Sequence, residues 1–471
     1  MLSKNQSGPP QVQIVSLEEL VPQDHLLRKV DAVIDFSFIY DLVEDKYSLD
    51  NGRPSIDPVI LFKIALIQYL FGIKSMRQTI KEIEVNLAYR WFVGLDFNDP
   101  VPHFTTFGKN YSRRFAGTDL FEQIFQQILM QCMKKGVVDT SAIFVDSTHV
   151  KAHANNKKFK KITASKNAAK HYTQKLNEEI DADRQAHGKK ALKDKDDHNN
   201  PNGGSGGEEQ KEIKVSTTDP ESGWFHKGEH KEVFAYEVES ACDRHGWMLG
   251  YSVHPGNEHD AMTFPAIYEK IKGYEPDYIV MDAGYKTPAI AKMVVDDAIE
   301  PIFPYKRPMT KKGFFHKKEY VYDEYYDCYI CPNNTILKYS TTNRDGYREY
   351  KSDPKICAGC PHLEQCTQSA NHQKVLLRHV WEPYMEYCEE LRHMDGMKEL
   401  YDLRKETIER NFGTAKEFHG MRYTQMKGKE KMGMKVALTF TCMNIKKLAK
   451  LLFPNAPMPS KKLKSRGYAF G

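Results

Sequence analysis

The chain has 471 residues, 40% of them hydrophobic and 11% aromatic, with a net charge of +5. This size and composition exclude a disordered chain and allow two or three globular domains with sizeable cores. The N-terminus lacks the unbroken apolar stretch of a signal peptide, and Lys63 and Gln68 interrupt the most apolar run, residues 58–73. We therefore expect a soluble cytoplasmic protein without a membrane span.

The positive charge is concentrated in two segments. Residues 151–175 contain eight Lys and no acid, and residues 427–471 contain ten Lys, one Arg and one Glu, which leaves about −13 for the remainder. Such segregation suits a polyanionic partner, because each Lys or Arg that neutralises a phosphate releases counterions. A solvated helix face followed by a floppy tail would give the same pattern.

Residues 1–135 are predicted to form a helical domain. The apolar run at 58–73 predicts a buried helix, and residues 75–95 and 119–136 carry apolar side chains at helical spacing. The last of these segments ends in Lys-Lys-Gly, which is typical of a helix C-terminus. Helical bundles of this kind are common, so this pattern alone does not indicate DNA binding.

Strands are predicted from Ser141 onward. The stretch SAIFVDSTHVKA predicts a strand with Asp146 at its middle, and the polar residues 155–215 predict a charged helical arm and a flexible linker. Further strands are predicted, in chain order, at EVFAYEVESACD, HGWMLGYSVHPG, YIVMDAG and IEPIFPYK. The first two favour an antiparallel pair and the last two alternate with helices. Residues 136–305 therefore predict a mixed α/β sheet covered by helices.

Residues 306–380 interrupt this pattern with basic, Tyr-rich and Cys-rich sequence. Two CxxC pairs predict a structural zinc site: Cys328, Cys331, Cys357 and Cys360. Two nearby side chains are additional candidate ligands: Cys366 and His362. Reduced thiols without metal are the alternative, and the crowding of cysteines here argues against a secreted disulfide framework. Helices are predicted again over 381–455, followed by a basic tail, 456–471.

Two aspartates lie in apolar strand contexts, where an unpaired carboxylate is rare. Asp146 is inside a predicted strand, and Asp282 follows one, although Asp282 could also cap the helix that begins at Pro288. If these strands are neighbours, the two carboxylates repel each other unless cations bridge them, and Mg²⁺ is the expected bridge. Glu406 and Glu409 are candidates for a third acid, with an ordinary amphipathic helix as the alternative.

Several strings resemble, in combination and in this order, the DDE transposases of bacterial insertion sequences: GRPSIDPVILFKIALIQYLFGIKSMRQ, NLAYRWFVGL, STTDPESGWF, HPGNEHDAMT, YIVMDAGYKT and RKETIERNFGTAK. The resemblance extends from about residue 50 to about residue 450. It is to the group with a split RNase H-like core and a Cys-containing insertion. The fold it implies is α/β, an RNase H-like mixed sheet flanked by helices, with an all-α N-terminal domain that would bind DNA.

The resemblance also implies roles for individual residues. Asp146, Asp282 and Glu409 match the catalytic acids, which would hold two Mg²⁺ or Mn²⁺ ions, because the Glu precedes Phe-Gly and stands seven residues before Lys416. Three basic residues are expected to contact DNA: Lys416, Lys151 and Arg404. Two departures stand out. Arg404 is five residues before Glu409, which leaves Glu406 as a second, less favoured candidate for the third catalytic acid. His103 stands where the family tends to have an acid.

The expected function is metal-dependent cleavage of DNA at the ends of an insertion sequence, followed by strand transfer into target DNA. The expected partners are double-stranded DNA and a second copy of the chain, since joining two element ends implies at least a dimer, and a nucleoid-associated location follows. Two other functions stay open. One is a DNA-binding protein that has lost catalysis, and the other is a metal-dependent phosphatase or nuclease with a diffusible substrate.

Overall fold

The computed structural model describes residues 14–48, 55–165, 170–192, 210–227 and 231–454. The chain divides into two compact units. The helical unit comprises residues up to 138 together with 413–422 and those from 430 onward, and the sheet unit comprises 139–412 and 423–429. None of the helices in the described ranges has the length and apolar composition that crossing a bilayer requires.

Helices α1 to α8 form the N-terminal part of the helical unit: α1 (Leu17–Leu20), α2 (Leu26–Val33), α3 (Phe38–Val43), α4 (Pro58–Leu70), α5 (Met76–Val85), α6 (Leu87–Val93), α7 (Thr105–Asn110) and α8 (Leu120–Lys134). A 3₁₀ turn follows α3 (Glu44–Lys46) and a π-helical turn follows α7 (Tyr111–Phe115). Asp57 starts α4 by accepting the Val59 and Ile60 N–H groups. The predicted buried helix is confirmed, because α4 buries residues on all its sides.

The remaining strands and helices follow in chain order. The strands are β1 (Ala142–Lys151), β2 (Phe159–Ser165), β3 (Gln210–Ser216), β4 (Gly223–Lys227), β5 (Lys231–Asp243), β6 (Met248–Pro255), β7 (Tyr278–Val280), β8 (Glu300–Ile302), β9 (Val321–Asp323), β10 (Cys328–Ile330), β11 (Ile336–Thr342), β12 (Tyr347–Lys351) and β13 (Val375–His379). The helices are α9 (Lys170–Ala186), α10 (Asp260–Ile271), α11 (Pro288–Asp296), α12 (Pro354–Cys357), α13 (Leu363–Cys366), α14 (Glu382–Leu391), α15 (Met397–Asp402), α16 (Ile408–Phe418) and α17 (Lys429–Leu452). The 3₁₀ turns are Lys272–Tyr274, Lys317–Glu319 and Leu403–Lys405.

The central sheet of the sheet unit has the strand order β4-β5-β1-β7-β8, and β6 pairs with the part of β5 beyond β4. Strands β1, β5 and β6 are antiparallel, whereas β7 and β8 add to β1 in parallel. Helix α10 connects β6 to β7. Helix α11 connects β7 to β8, because these parallel neighbours need a crossover connection. The expected RNase H-like α/β class is confirmed.

The Cys-rich segment forms a sheet of its own, with the antiparallel order β13-β12-β11-β10-β9. Its small core is built largely from aromatic side chains: Tyr320, Tyr329, Leu337, Tyr350 and Leu376. Tyr322 and Tyr350 both donate to the carboxylate of Asp327, which satisfies the two hydroxyl groups at the edge of this core. The segment is therefore a packed module rather than an irregular loop.

The segment 155–215 differs from its prediction as a charged helical arm and linker. It contains strand β2 paired antiparallel with β3, and helix α9 lies between them in the chain. Lys161 pairs across the two strands with Glu212 at 2.8 Å, and the β-branched Ile162 and Thr163 favour a strand here. Helix α9 is anchored on the Cys-rich sheet, where Asp183 accepts from Arg348 at 2.6 Å. Residues 193–209, which contain most of the string NNPNGGSGGEEQ expected to form the flexible linker, lie outside the described residues.

The predicted second part of the core, 381–455, is divided in the structure. Helix α17 and the end of α16 belong to the helical unit. The hydroxyl of Tyr111 and the N–H of Gly117 both donate to Glu430 Oε1, at 2.6 and 2.8 Å, and the carbonyl of Tyr69 contacts His419. The apolar residues of α17 predict a buried helix but do not identify the helices against which it packs. The sequence therefore could not assign α17 to the helical unit.

A glycine marks close packing inside the helical unit. Gly72 has φ +65°, and a Cβ added there would lie 2.6 Å from the carbonyl oxygen of Phe418. We expect Gly72→Ala to lower the free energy of unfolding by about 2–4 kcal/mol, because it adds a steric clash to backbone strain. Gly94→Ala is the control, since Gly94 has φ +84° but no atom within 4 Å of the added Cβ. Equal losses in thermal denaturation would show that the close contact is unimportant.

Candidate active site

Asp146 and Asp282 extend from neighbouring strands. Strands β1 and β7 are parallel, with Phe144 opposite Val280, and each aspartate follows two residues later in its own segment. The predicted adjacency of the two strands is confirmed. The N–H of Gly284 donates to Asp282 Oδ1 at 2.7 Å, whereas the N-cap of helix α11 is Thr287. Asp282 therefore shapes the turn after β7 and does not cap the helix.

The carboxylate of Asp146 is held from two sides. Arg404 Nη2 lies 2.8 Å from Asp146 Oδ2, and the N–H of Ser147 donates to Oδ1 at 2.8 Å. Burial raises the pKa of Asp146 to about 6; Arg404 and the Ser147 N–H oppose this shift, and the nearby carboxylates Asp282 and Asp260 add to it. The site thus disfavours an uncompensated negative charge on Asp146 and favours a cation beside it.

Further acidic side chains lie next to this pair. Glu237 and Glu239 are on β5 and are 1% and 0% exposed, and Asp260 is the first residue of α10. The hydroxyl of Ser147 donates to Asp260 Oδ1 at 2.6 Å. The buried atoms without a hydrogen-bond partner among the described residues include both oxygens of Glu237, Oε1 of Glu239 and the hydroxyl of Tyr285. Such orphaned polar atoms are rare in proteins.

The environment of these groups favours their neutral forms. Burial raises the pKa of Glu237 to about 9, and the neighbouring carboxylate of Asp260 contributes to the shift. Burial likewise raises the pKa of Glu239 to about 8 and raises that of Tyr285. Sequence reasoning missed these residues. The signal for the two glutamates is their i, i+2 spacing in an otherwise apolar strand, which places both on one face.

The structure does not join Glu409 to the two aspartates. Glu409 lies in the first turn of α16 and is exposed, as is Glu406, whereas Ile408, Phe412 and Ala415 form the buried face of this helix. In the ranges that the structure covers, no three His, Cys, Asp or Glu side chains are placed to hold one metal ion. Asp146 and Asp282 are brought together, and the role of Glu409 stays a prediction.

The residues around the aspartate pair nevertheless fit a hard divalent cation. The side chains that approach it offer carboxylate and hydroxyl oxygens, which Mg²⁺ and Mn²⁺ prefer. The carboxylates of Asp282 and Asp260 raise the pKa of Asp146 by charge repulsion, against the effect of Arg404. Neither oxygen of Glu237 has a hydrogen-bond partner among the described residues. A cation would offset the repulsion between the aspartates.

The three predicted DNA contacts have different surroundings. Lys151 is exposed at the end of β1, where the N–H of Thr424 donates to its carbonyl. Lys416 is half-buried on α16. Arg404 is 5% exposed and bonds to Asp146 and to the Tyr401 hydroxyl, so in this structure its guanidinium is directed at the site and not at solvent. Exposed lysines continue beyond Lys151 into β2: Lys157, Lys158, Lys160 and Lys161.

The predicted zinc ligands separate into two groups. Cys328 begins strand β10, and Cys331 is the first residue beyond its end. If the alternation of strand side chains continues to Cys331, the two thiols lie on opposite faces. Cys331 and Cys366 pack on the aromatic core of the Cys-rich sheet. Burial raises the pKa of Cys366, and the nearby thiols of Cys357 and Cys331 add to the shift. The acidic neighbours of Cys328 are instead two aspartates, Asp323 and Asp327.

Two family models match the chain. The model described as a transposase domain (DUF772) matches residues 15–113, and the model described as a transposase DDE domain matches residues 330–449. The first match covers most of the N-terminal helices, and the second covers most of the Cys-rich sheet, helix α16 and most of α17. Comparison with curated proteins found no match. Together with the RNase H-like sheet, these two matches support a DDE transposase of insertion-sequence type.

Proposed function

We propose that this transposase cleaves DNA strands at the ends of its element and transfers them to target DNA in a metal-dependent reaction. The observation that carries the proposal is the pair Asp146 and Asp282 on adjacent parallel strands, inside a pocket with further buried acids. Asp146 and Asp282 would hold Mg²⁺ or Mn²⁺, with Glu409 as the predicted third ligand. The bound ions would activate an attacking oxygen and stabilise the leaving oxygen of a phosphodiester.

The chain's own groups position the acids. The Ser147 N–H and Arg404 fix the two oxygens of Asp146, and the Gly284 N–H fixes Asp282 Oδ1. Arg404 in turn bonds to Tyr401 at 3.1 Å. These bonds restrict the rotamers of both carboxylates before DNA arrives, which lowers the entropic cost of ordering them with the substrate.

The exposed lysines at the end of β1 and on β2 support a DNA partner. Lys151, Lys157 and Lys160 are exposed in a segment without acidic residues, and clustered lysines attract the phosphate backbone without regard to sequence. We propose that this surface contacts double-stranded DNA of the element end or target. Joining two ends requires two copies of the chain, so we also propose at least a dimer in the complex with DNA.

One observation favours the alternative of a catalytically silent DNA-binding protein. Arg404 occupies Asp146 Oδ2, and Glu409 is exposed at the start of its helix, so a complete set of three acids is not assembled. A labelled duplex that carries the element end and its flank separates the two functions. Nicking at the element boundary with Mg²⁺, and none with EDTA, is the expected result, and binding without nicking under both conditions would support the silent protein.

We also propose a structural zinc ion in the Cys-rich module, held by Cys331, Cys357, Cys360 and Cys366. Cys331 begins a tight turn in which its Sγ accepts the N–H of Thr335 at 3.3 Å, and Cys366 Sγ lies 3.1 Å from the Tyr320 hydroxyl. Cys357 and Cys360 are joined by a backbone hydrogen bond within one turn. Zinc would draw these thiols into a tetrahedron, since thiolates are its preferred ligands.

Metal analysis tests this ligand set against the two predicted CxxC pairs. We expect purified protein to contain about one zinc ion per chain, and Cys331→Ser and Cys366→Ser to lose it, because each removes one of four thiolates. Cys328→Ser is the matched control, since its thiol lies on the other strand face. Loss of zinc in Cys328→Ser with retention in Cys366→Ser would restore the set predicted from spacing.

A further inference from the structure

Asp260 lies beside the proposed catalytic pair, and its only signal in the sequence is its place in the string HPGNEHDAMT. It begins helix α10, which runs from Asp260 to Ile271, and its Oδ1 accepts the Ser147 hydroxyl at 2.6 Å. Ser147 is the neighbour of Asp146 on β1, so this bond connects the start of the helix to the strand that carries the first catalytic acid.

The second oxygen of Asp260 faces Asp282 across a glycine. A Cβ added to Gly284 would lie 2.7 Å from Asp260 Oδ2 and 3.0 Å from Asp282 Oδ1. Both oxygens therefore lie close to the backbone of Gly284, and a side chain at residue 284 would clash with them. Gly284 is not among the glycines with positive φ, so its backbone conformation does not explain why a glycine stands there.

A buried group without a partner is directed at the same place. Glu237 is 1% exposed, and neither of its carboxylate oxygens has a hydrogen-bond partner among the described residues. Among its polar neighbours, Asp260 and Ser147 have the largest effects on the pKa of Glu237. Three carboxylates thus surround a space in which the described structure provides no cationic side chain, since Arg404 is bound to Asp146.

We propose that Asp260 Oδ2 and Asp282 Oδ1 together bind one of the divalent cations, so that the active site has a fourth carboxylate. Asp260 is then a ligand supplied by the start of α10, and the missing side chain at Gly284 lets the two carboxylates approach each other. Ser147 and Glu237 position Asp260, the first by donating to Oδ1 and the second by bordering the same pocket. This inference rests on the proposed metal-dependent function and adds a ligand to the predicted set.

Titration with Mn²⁺ alone, followed by electron paramagnetic resonance of the free ion, tests the proposal without DNA cleavage. We expect wild-type protein to bind two ions per chain at its acidic pocket. Asp260→Asn should lose one of them or bind it at least tenfold more weakly. Glu258→Gln is the matched control, because Glu258 stands two residues earlier, has a 43% exposed side chain and pairs with His254.

Gly284→Ala provides a second variant that retains every carboxylate. Its methyl group would occupy the space between the two oxygens, so we expect the same loss of one Mn²⁺ ion as in Asp260→Asn. Binding of a labelled DNA duplex by each variant reports whether the protein remains folded. Wild-type Mn²⁺ binding in both variants would overturn the proposal and leave Asp260 with a role at the start of the helix only.

The outcomes also separate this inference from the proposed function. If wild-type protein binds Mn²⁺ and cleaves DNA, Asp282→Asn loses both and Asp260→Asn keeps its ions, the function stands and the fourth ligand is refuted. If wild-type protein neither binds Mn²⁺ nor cleaves DNA, both are refuted.

Discussion

Replacement of Asp282 by Asn is expected to reduce strand cleavage at the element end by roughly three orders of magnitude or more. The amide keeps the shape of the side chain and can still accept the Gly284 N–H bond seen at 2.7 Å. It removes the negative charge that a divalent cation requires, and therefore the proposed chemistry. Single-turnover cleavage of a labelled duplex with Mg²⁺ measures the effect.

DNA binding should be unchanged in Asp282→Asn, because its phosphate contacts are proposed on exposed lysines outside the acidic pocket. Asp277→Asn is the matched control: Asp277 is exposed just before the same strand, and its backbone bonds to Ser141 and Glu300. It should cleave at the wild-type rate. Lost DNA binding in Asp282→Asn would mean that Asp282 is structural, and unchanged cleavage would remove it from the catalytic set.

The pair Asp146 and Asp282 could be predicted because both carboxylates follow strongly apolar strand residues. Asp146 follows the buried run Ala142 to Val145, and Asp282 follows Tyr278 to Met281. A buried run of this length is typical of a strand covered on both faces, and a carboxylate at its end needs a partner. The periodicity also predicted α4, β5, β6 and α10, since each has a continuous pattern of its own.

What the sequence could not provide is contact between segments that are distant in the chain. The Ser147–Asp260 bond spans 113 positions, and the Arg404–Asp146 pair joins a 3₁₀ turn to a central strand. Neither has a local periodic signal. The same limit applies to the cysteines, because spacing identifies CxxC pairs but not the strand that turns Cys328 away from Cys331.

The two halves of the proposed site also differ in how they are held. Asp146 and Asp282 are fixed by backbone N–H groups of their own segments, whereas Glu409 is exposed on a helix whose buried face lies elsewhere. Local bonds form with the sheet itself, while the position of a helix depends on tertiary packing. We therefore expect DNA or metal binding to change the surroundings of Glu409 more than those of either aspartate.

Glu237→Gln is expected to stabilise the metal-free protein at pH 8 and to leave its stability at pH 4.5 nearly unchanged. Burial raises the pKa of Glu237 to about 9 from an ordinary value of 4.5. Below the ordinary value both folded and unfolded chains carry the proton, so the carboxyl group adds no pH dependence. As pH rises towards 9, the unfolded chain releases the proton while the folded chain retains it, and the free energy of unfolding falls.

The size of this effect follows from the cost of keeping the proton. Each pKa unit corresponds to about 1.4 kcal/mol, so the free energy of unfolding at pH 8 is lower by on the order of 3–5 kcal/mol than at low pH. Gln mimics the protonated acid and removes this loss. Thermal denaturation in EDTA should show a higher melting temperature for Glu237→Gln at pH 8, by roughly 5–10 °C if the sheet unit melts cooperatively.

The exposed Glu232 on the same strand is the matched control for this substitution, because its side chain is 49% exposed. Glu232→Gln should leave the pH dependence of melting as it is in wild type. A lower melting temperature of Glu237→Gln at both pH values would instead mean that Glu237 is ionised and paired in the folded protein. Glu237 then could not count as a buried acid without a partner, and the case for a cation beside it would lose one of its two structural supports.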